Sequence, residues 1–146
     1  NMSVRENIAS NLLSVISAIS SPDIIKATRQ PFLLDELSDK QYPAVIVQTS
    51  EENRDDSELG TGARTRHGTI DFVVLGFVKG AESNIDTARN ALITAIETAI
   101  ETDITRSGNA LDSEVIQVET DEGSLFPVGG IRMTIRCMYE YQAGTP

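Results

Sequence analysis

Tryptophan is absent from this chain, cysteine and histidine occur once each, and the 12 lysines and arginines are outnumbered by 22 aspartates and glutamates. Each shortage excludes something. A single cysteine, Cys137, cannot form an internal disulfide. It falls on the apolar side of an alternating segment, so it reads as a small buried hydrophobe in a reducing compartment. A single histidine, His67, set among Arg64 and Arg66, supplies neither a Cys–His pair nor a zinc ligand set. The formal charge of −10 argues against tight wrapping of nucleic acid, which needs clustered Lys and Arg. No apolar run approaches the length of a membrane span, and no charged-then-apolar leader is read at the amino end.

The catalytic patterns fail in the same way. No serine sits in a nucleophile-elbow motif. Gly60-Thr61-Gly62-Ala63-Arg64 is glycine-rich, but it lacks the Lys-Ser/Thr ending of a phosphate loop. A strand pattern follows it where a helix N-terminus would be needed. The acidic run 51–58 lacks the glycine and final glutamate of a calcium loop at the required offsets. The sequence predicts no catalytic residue, no metal and no cofactor.

What is present is a strong strand signal at residues 65–79, TRHGTIDFVVLGFVK. Ile70, Phe72, Val74 and Val78 alternate onto one face. The other face begins polar with His67, Thr69 and Asp71, then turns apolar with Val73, Leu75 and Phe77. A strand apolar on both sides at one end is central or covered twice. One cover is expected to be a helix of this chain and the other a second subunit.

Around it the chain is read as one domain over residues 1–146. Residues 3–19 form an amphipathic helix, with Ser3 and Glu6 in a capping-box pattern and Val4, Ile8, Leu12, Val15, Ile16 and Ile19 at helical spacing. Residues 23–29 form a short strand and residues 44–48 a second, entered through Pro43. Residues 51–64 form a long charged loop, acidic first and basic at its end. Residues 83–102 form an alanine-rich helix capped by Ser83 and Asp86. Strands at 114–120 and 131–141 close the chain. In the last strand, Ile131, Met133, Ile135, Cys137, Tyr139 and Tyr141 face one way. Arg132, Thr134, Arg136, Met138 and Glu140 face the other, where they are expected to pair across the sheet or meet another protein. Hairpin-like connections give an α+β fold: a largely antiparallel sheet with two helices on one face.

Several local pieces, taken with this order, resemble a known family. They are the amphipathic first helix, Thr28-Arg29 leading into an acidic segment, and the Tyr42-Pro43-Ala44-Val45 strand entry. The long charged loop, the strand at 70–77 feeding the helix at 88–100, and the closing Tyr139-Glu140-Tyr141 complete the set. Together they resemble the tail terminator, or tail-completion, proteins of long-tailed bacteriophages. The likeness spans essentially the whole chain and rests on architecture. It implies a structural virion protein, assembled in the host cytoplasm and resident in the neck region of the tail. Such a protein forms a homo-oligomeric, hexameric ring on the last ring of the tail tube protein. It stops tube polymerisation and presents a surface to the head connector or neck protein and, in contractile tails, to the sheath. DNA passes through the lumen without specific binding, and an acidic lining suits that passage.

Within that reading Asp55, Asp56, Arg64 and Arg66 are the candidate interface residues, because an acidic-then-basic loop can meet its complement on an identical neighbour. Two other readings stay open on the residues alone. One is a small dimeric ferredoxin-like ligand-binding module with a pocket between sheet and helices. The other is a different neck or head-completion protein.

Overall fold

Two-residue alternation decides the sheet and 3.6-residue periodicity the helices. The structure, a computed structural model, describes residues 3–32, 36–55, 65–81 and 83–142. The elements run α1 (Val4–Ser17), β1 (Lys26–Thr28), a single 3-10 turn (Asp39–Gln41), β2 (Ala44–Asp55), β3 (Thr65–Lys79), α2 (Ile85–Thr102), β4 (Asp112–Thr120) and β5 (Val128–Gln142). The strands form one sheet in the order β1-β2-β3-β5-β4. Every pairing is antiparallel except β1 with β2. The fold is α+β, with both helices on one face.

The predicted central strand is central. β3 pairs with β5 through fifteen consecutive positions, from Thr65 opposite Gln142 to Lys79 opposite Val128. Its inward residues Ile70, Phe72 and Val74 are fully buried, as are Met133, Ile135 and Cys137 beside them on β5. Onto this face α1 lays Ile8, Leu12 and Ile16, and α2 lays Leu92, Ile96 and Ile100. Gly76 marks the closest approach of α2. A Cβ there would lie 2.8 Å from Leu92 Cδ2 and 2.9 Å from Ile131 Cγ1.

The outer face of β3 has a partial cover. At the Phe77 end it comes from the chain itself: the Phe32 ring meets Phe77 edge-on, with centroids 6.1 Å apart. Ala44 and Ile46, beside Phe77 and Leu75 in register, are buried on that side. Val73 and Leu75 are left half-buried.

Four boundaries move for physical reasons. The first helix stops at Ser17 rather than Ile19, with Ala18 as C-cap. Ser3 does cap it, its Oγ accepting from the Glu6 amide at 3.2 Å. The Glu6 carboxylate does not complete a capping box, because Arg29 and Ser10 claim it. The second helix starts at Ile85 with Asn84, not Ser83, at the N-cap. The Asn84 Oδ1 accepts from the Ala81 amide at 3.0 Å. Asp86, assigned above to the cap, is drawn to Arg89. The first strand shrinks from seven expected residues to three, Lys26–Thr28. Finally, the first part of the expected 51–64 loop is strand, since β2 runs on to Asp55. Residues 56–64 lie outside the described residues.

β2 carries a bulge that the sequence pattern conceals. Thr49 faces Phe72 and Glu52 faces Ile70, so β2 uses three steps where β3 uses two. The extra residue reverses which side chains point inward. Val45 and Val47 face the helices before it, and Glu52 and Arg54 take up that side after it. A second shift, between Val115 and Gln117, does the same to β4.

Replacing Gly76 with Val is expected to force Leu92 and Ile131 aside and cost about 1–3 kcal/mol, as overpacking does. Leu92→Ala is expected to cost about 2–5 kcal/mol through the cavity it leaves. Urea unfolding monitored by circular dichroism would read both as a lowered midpoint with unchanged slope.

Candidate functional site

The β2–β3 hairpin carries the residues that the sequence singles out. Asp55 is the last residue of β2 and sits opposite His67. Arg66 lies in β3 opposite Tyr141, half-buried. Asp56 and Arg64 lie outside the described residues. Two of the four candidates, Asp55 and Arg66, thus fall on the paired strands of the β2–β3 hairpin.

What fixes that outer end is a polar cluster on the helix side. Glu52, turned inward by the bulge, accepts from the Tyr139 hydroxyl at 2.8 Å and from Arg54 Nε at 2.6 Å. Arg5, in the first turn of α1, approaches the same carboxylate at 3.7 Å. The Arg54 guanidinium lies 4.8 Å from the centroid of the Tyr141 ring, a cation–π contact. The rings of Tyr139 and Tyr141 are 5.6 Å apart. Gly68 makes room for them: a Cβ there would lie 2.8 Å from Tyr139 Cε1.

The electrostatics follow from this packing. Burial works against the Glu52 charge, but the bonds from Arg54 and Tyr139 outweigh it and hold the carboxyl below its ordinary range. Burial, reinforced by the neighbouring Glu52 carboxylate, pushes the Tyr139 hydroxyl up to about 12. Tyr139 is thus a fixed donor at neutral pH and Glu52 a fixed acceptor. The cluster ties α1, β2, β3 and β5 together.

The outer face of the sheet carries a second charge pattern. Arg136 grips Asp71 with two bonds, 2.9 and 3.0 Å, across the β3–β5 register. His67 Nε2 lies 3.1 Å from Glu140 Oε1. Of the two outcomes expected for this face, cross-sheet pairing accounts for Arg136 and Glu140. Met138 stays exposed between them. The Cys137 thiol is buried, and its surroundings raise its pKa, as fits a structural hydrophobe.

Two buried arginines escaped the sequence reading. Arg89 occupies a core position in the 85, 89, 92, 96, 100 stripe of α2. Its side chain is 8% exposed, and it meets the 6% exposed Asp121 at 2.7 Å. Asp121 also accepts from the Leu125 and Gly130 amides at 2.9 and 3.0 Å. The signal was the lone charge inside an apolar stripe. Gly129 answers to it, since a Cβ there would lie 2.9 Å from Arg89 Cγ. Arg106 is wholly buried at φ 51° and donates to the Ile100 and Asp103 carbonyls, closing the C-terminus of α2.

Three hollows mark the surface formed by the described residues. The largest, about 940 Å³, is a groove beside α2 between Ala91, Ala95 and Ala99 and the Val15–Ile19 end of α1. It lies along the outside of the helix layer; a third hollow, about 210 Å³, lies between Val78 and Lys79 of β3 and Ala88 and Ala91 of α2, the side on which a ferredoxin-like module would hold a ligand. The smallest, about 190 Å³, lies on the outer sheet face among Leu75, Phe77 and Leu125. Among the described residues no group of three or more His, Cys, Asp or Glu could hold a metal ion. No helix among them is long and apolar enough to cross a membrane.

No family model and no curated protein matches the chain. Among solved structures, 35 chains match. One, from the virion of a native gene transfer agent particle, is 13% identical, with 95% of this chain and 92% of that chain aligned at a TM-score of 0.44.

Tyr139→Phe is expected to remove one charge-assisted bond from Glu52 and cost about 1.5–3 kcal/mol. Asp121→Ala, which removes the buried partner of Arg89 and leaves it only the exposed Asp86, is expected to cost about 3–5 kcal/mol. Glu52 and Asp121 both sit below their ordinary values in the folded chain. The unfolded state therefore binds more protons once the pH drops toward the unfolded values of about 4. The stability they supply is full above that range and is lost as pH falls through the folded values. Thermal melts from pH 6 to pH 2 should show a steep acid loss that is shallower in Asp121→Ala.

Proposed function

We propose that this chain is a structural virion protein that closes the head-proximal end of a phage tail tube. On this reading it assembles as a ring on the last ring of tube subunits, stops further polymerisation and offers its opposite face to the head connector. It works by shape and contact, without catalysis or cofactor.

The observation that carries the reading is the order of elements, with the Tyr42-Pro43-Ala44-Val45 entry and the Tyr139-Glu140-Tyr141 ending, which resembles the tail terminator family. The geometry supplies support of another kind. The hairpin's outer end is braced from below by Glu52, Arg54, Tyr139 and Tyr141, so it can carry a contact without being ordered afresh each time. The chain's surplus of carboxylates suits a passage through which DNA slides without sticking. The hairpin residues Asp55, Asp56, Arg64 and Arg66 are the proposed ring or docking contacts.

Simultaneous replacement of those four residues by alanine is expected to leave the fold intact and abolish tail termination. Electron micrographs of tails assembled with the variant would then show tubes of uncontrolled length without heads. Tubes of normal length, joined to heads, would count decisively against these contacts.

A further inference from the structure

The sheet ends in two edges that differ in charge and match in direction. One is β1, which pairs with β2 alone. Lys26 and Arg29 lie in and just after it, no acid occurs from Ile24 to Gln30, and Ile25 is 51% exposed. The other is β4, which pairs with β5 alone. Glu114 and Glu119 lie on it and Asp112 begins it, and no Lys or Arg occurs from Ser107 to Ile131. Ile116 and Val118 are 39% and 41% exposed there. One edge is thus basic and apolar, the other acidic and apolar.

The directions follow from the pairings. β1 runs parallel to β2, and each later step, β2 to β3, β3 to β5 and β5 to β4, reverses direction. β4 is therefore antiparallel to β1 and β2. A copy set beside another in the same orientation brings its β4 antiparallel to the neighbour's β1. Beyond the three residues of β1, the flank of β2 from Val47 onward has no partner strand among the described residues, but it is set back by one strand spacing, about 4.8 Å, so β4 meets this edge at Lys26–Thr28. Pairing like with like fails: β4 on β4 opposes two acidic strands and β1 on β1 two basic ones, which is unfavourable for directly opposed side chains.

We infer that the acidic β4 edge of one copy adds antiparallel to the basic β1 edge of the next, so that the sheet continues from subunit to subunit. The contact is head-to-tail, which closes a ring or extends a filament and cannot stop at a two-fold dimer. Lys26 reaches from the side of the Phe32 ring and Arg29 from its pair with Glu6, and both face new carboxylates. This deepens the ring reading above by naming the partner and the surfaces.

The test is a charge exchange followed by sedimentation velocity on the full chain. Lys26→Glu alone and the Glu114→Lys/Glu119→Lys pair alone are each expected to lose self-association, read as a shift to the monomer mass. An equimolar mixture of the two restores complementary edges and is expected to recover the wild-type mass, which a merely misfolded variant could not do. As a second measurement, the Ile25→Cys/Ile116→Cys chain with a short bifunctional maleimide is expected to give a ladder of three and more linked copies, and each single variant no more than a linked dimer. Variants that assemble like the wild type overturn the inference, as does a dimer indifferent to both edges. So does a chain that stays monomeric and unlinked up to about 1 mM. Tail termination is scored separately. If the exchange behaves as expected while tubes end normally without this protein, the functional reading fails and the interface stands. Normal dependence of termination on the protein, with indifferent edges, gives the reverse.

Discussion

The fifteen-position ladder between β3 and β5 is the constraint from which the rest of the molecule follows. It is unbulged, so alternation is kept from end to end and one face stays apolar from Ile70 to Val78. Both helices must lie on that face, because nowhere else is there enough apolar surface to bury Ile8, Leu12 and Ile16 or Leu92, Ile96 and Ile100. The flanking strands then adapt. Each carries one bulge, in β2 after Thr49 and in β4 after Val115, and each bulge changes what the strand can present to the helices. Polar groups reach the helix side from the bulged flanks, from the Tyr139 hydroxyl of β5, from the helices and from the turns that hold Arg106 and Asp121.

That division explains what could be read in advance. β3 and β5 obey a two-residue period without interruption, and their inward residues were named correctly from Ile70 to Tyr141. α1 and α2 were recognised from their stripes, because burial of one helix face leaves a direct trace in spacing. Glu52 falls in the expected charged loop 51–64, and unbulged alternation from Val47 would point it outward. A bulge leaves no residue signature here: Thr49-Ser50-Glu51 contains no glycine. Arg89 lay in plain view within a core stripe, but its partner Asp121 is 32 residues away and sits in a turn. Arg106 closes α2 through backbone carbonyls, a role that any pattern of side chains leaves unmarked. Long-range polar pairing is set by tertiary geometry, whereas alternation is local. The β2–β3 pairing that carries Asp55 and Arg66 was legible in the sequence, and the polar contacts that brace it were not.

The charges divide along the same line. Most of the well-placed cations are already engaged within the chain: Arg29 with Glu6, Arg54 with Glu52, Arg89 with Asp121 and Arg136 with Asp71. The remaining excess of carboxylate is spread over the outside, much of it on β4 and the turn after it. A chain with such an imbalance repels its copies in general and attracts them only where a local exception exists. Selectivity of contact therefore comes from the few basic, apolar positions rather than from total exposed area.

The unbroken β3–β5 ladder has a mechanical meaning as well. Its hydrogen bonds lie across the strand direction. A force along the strands loads all fifteen positions in shear at once, whereas a force across them peels one pair at a time. The molecule is therefore anisotropic: stiff along the axis of its hairpin, compliant at its edges. Where the edges are clasped by neighbours, the peeling direction is closed off, and load can travel through the body of the subunit from one end of the sheet to the other.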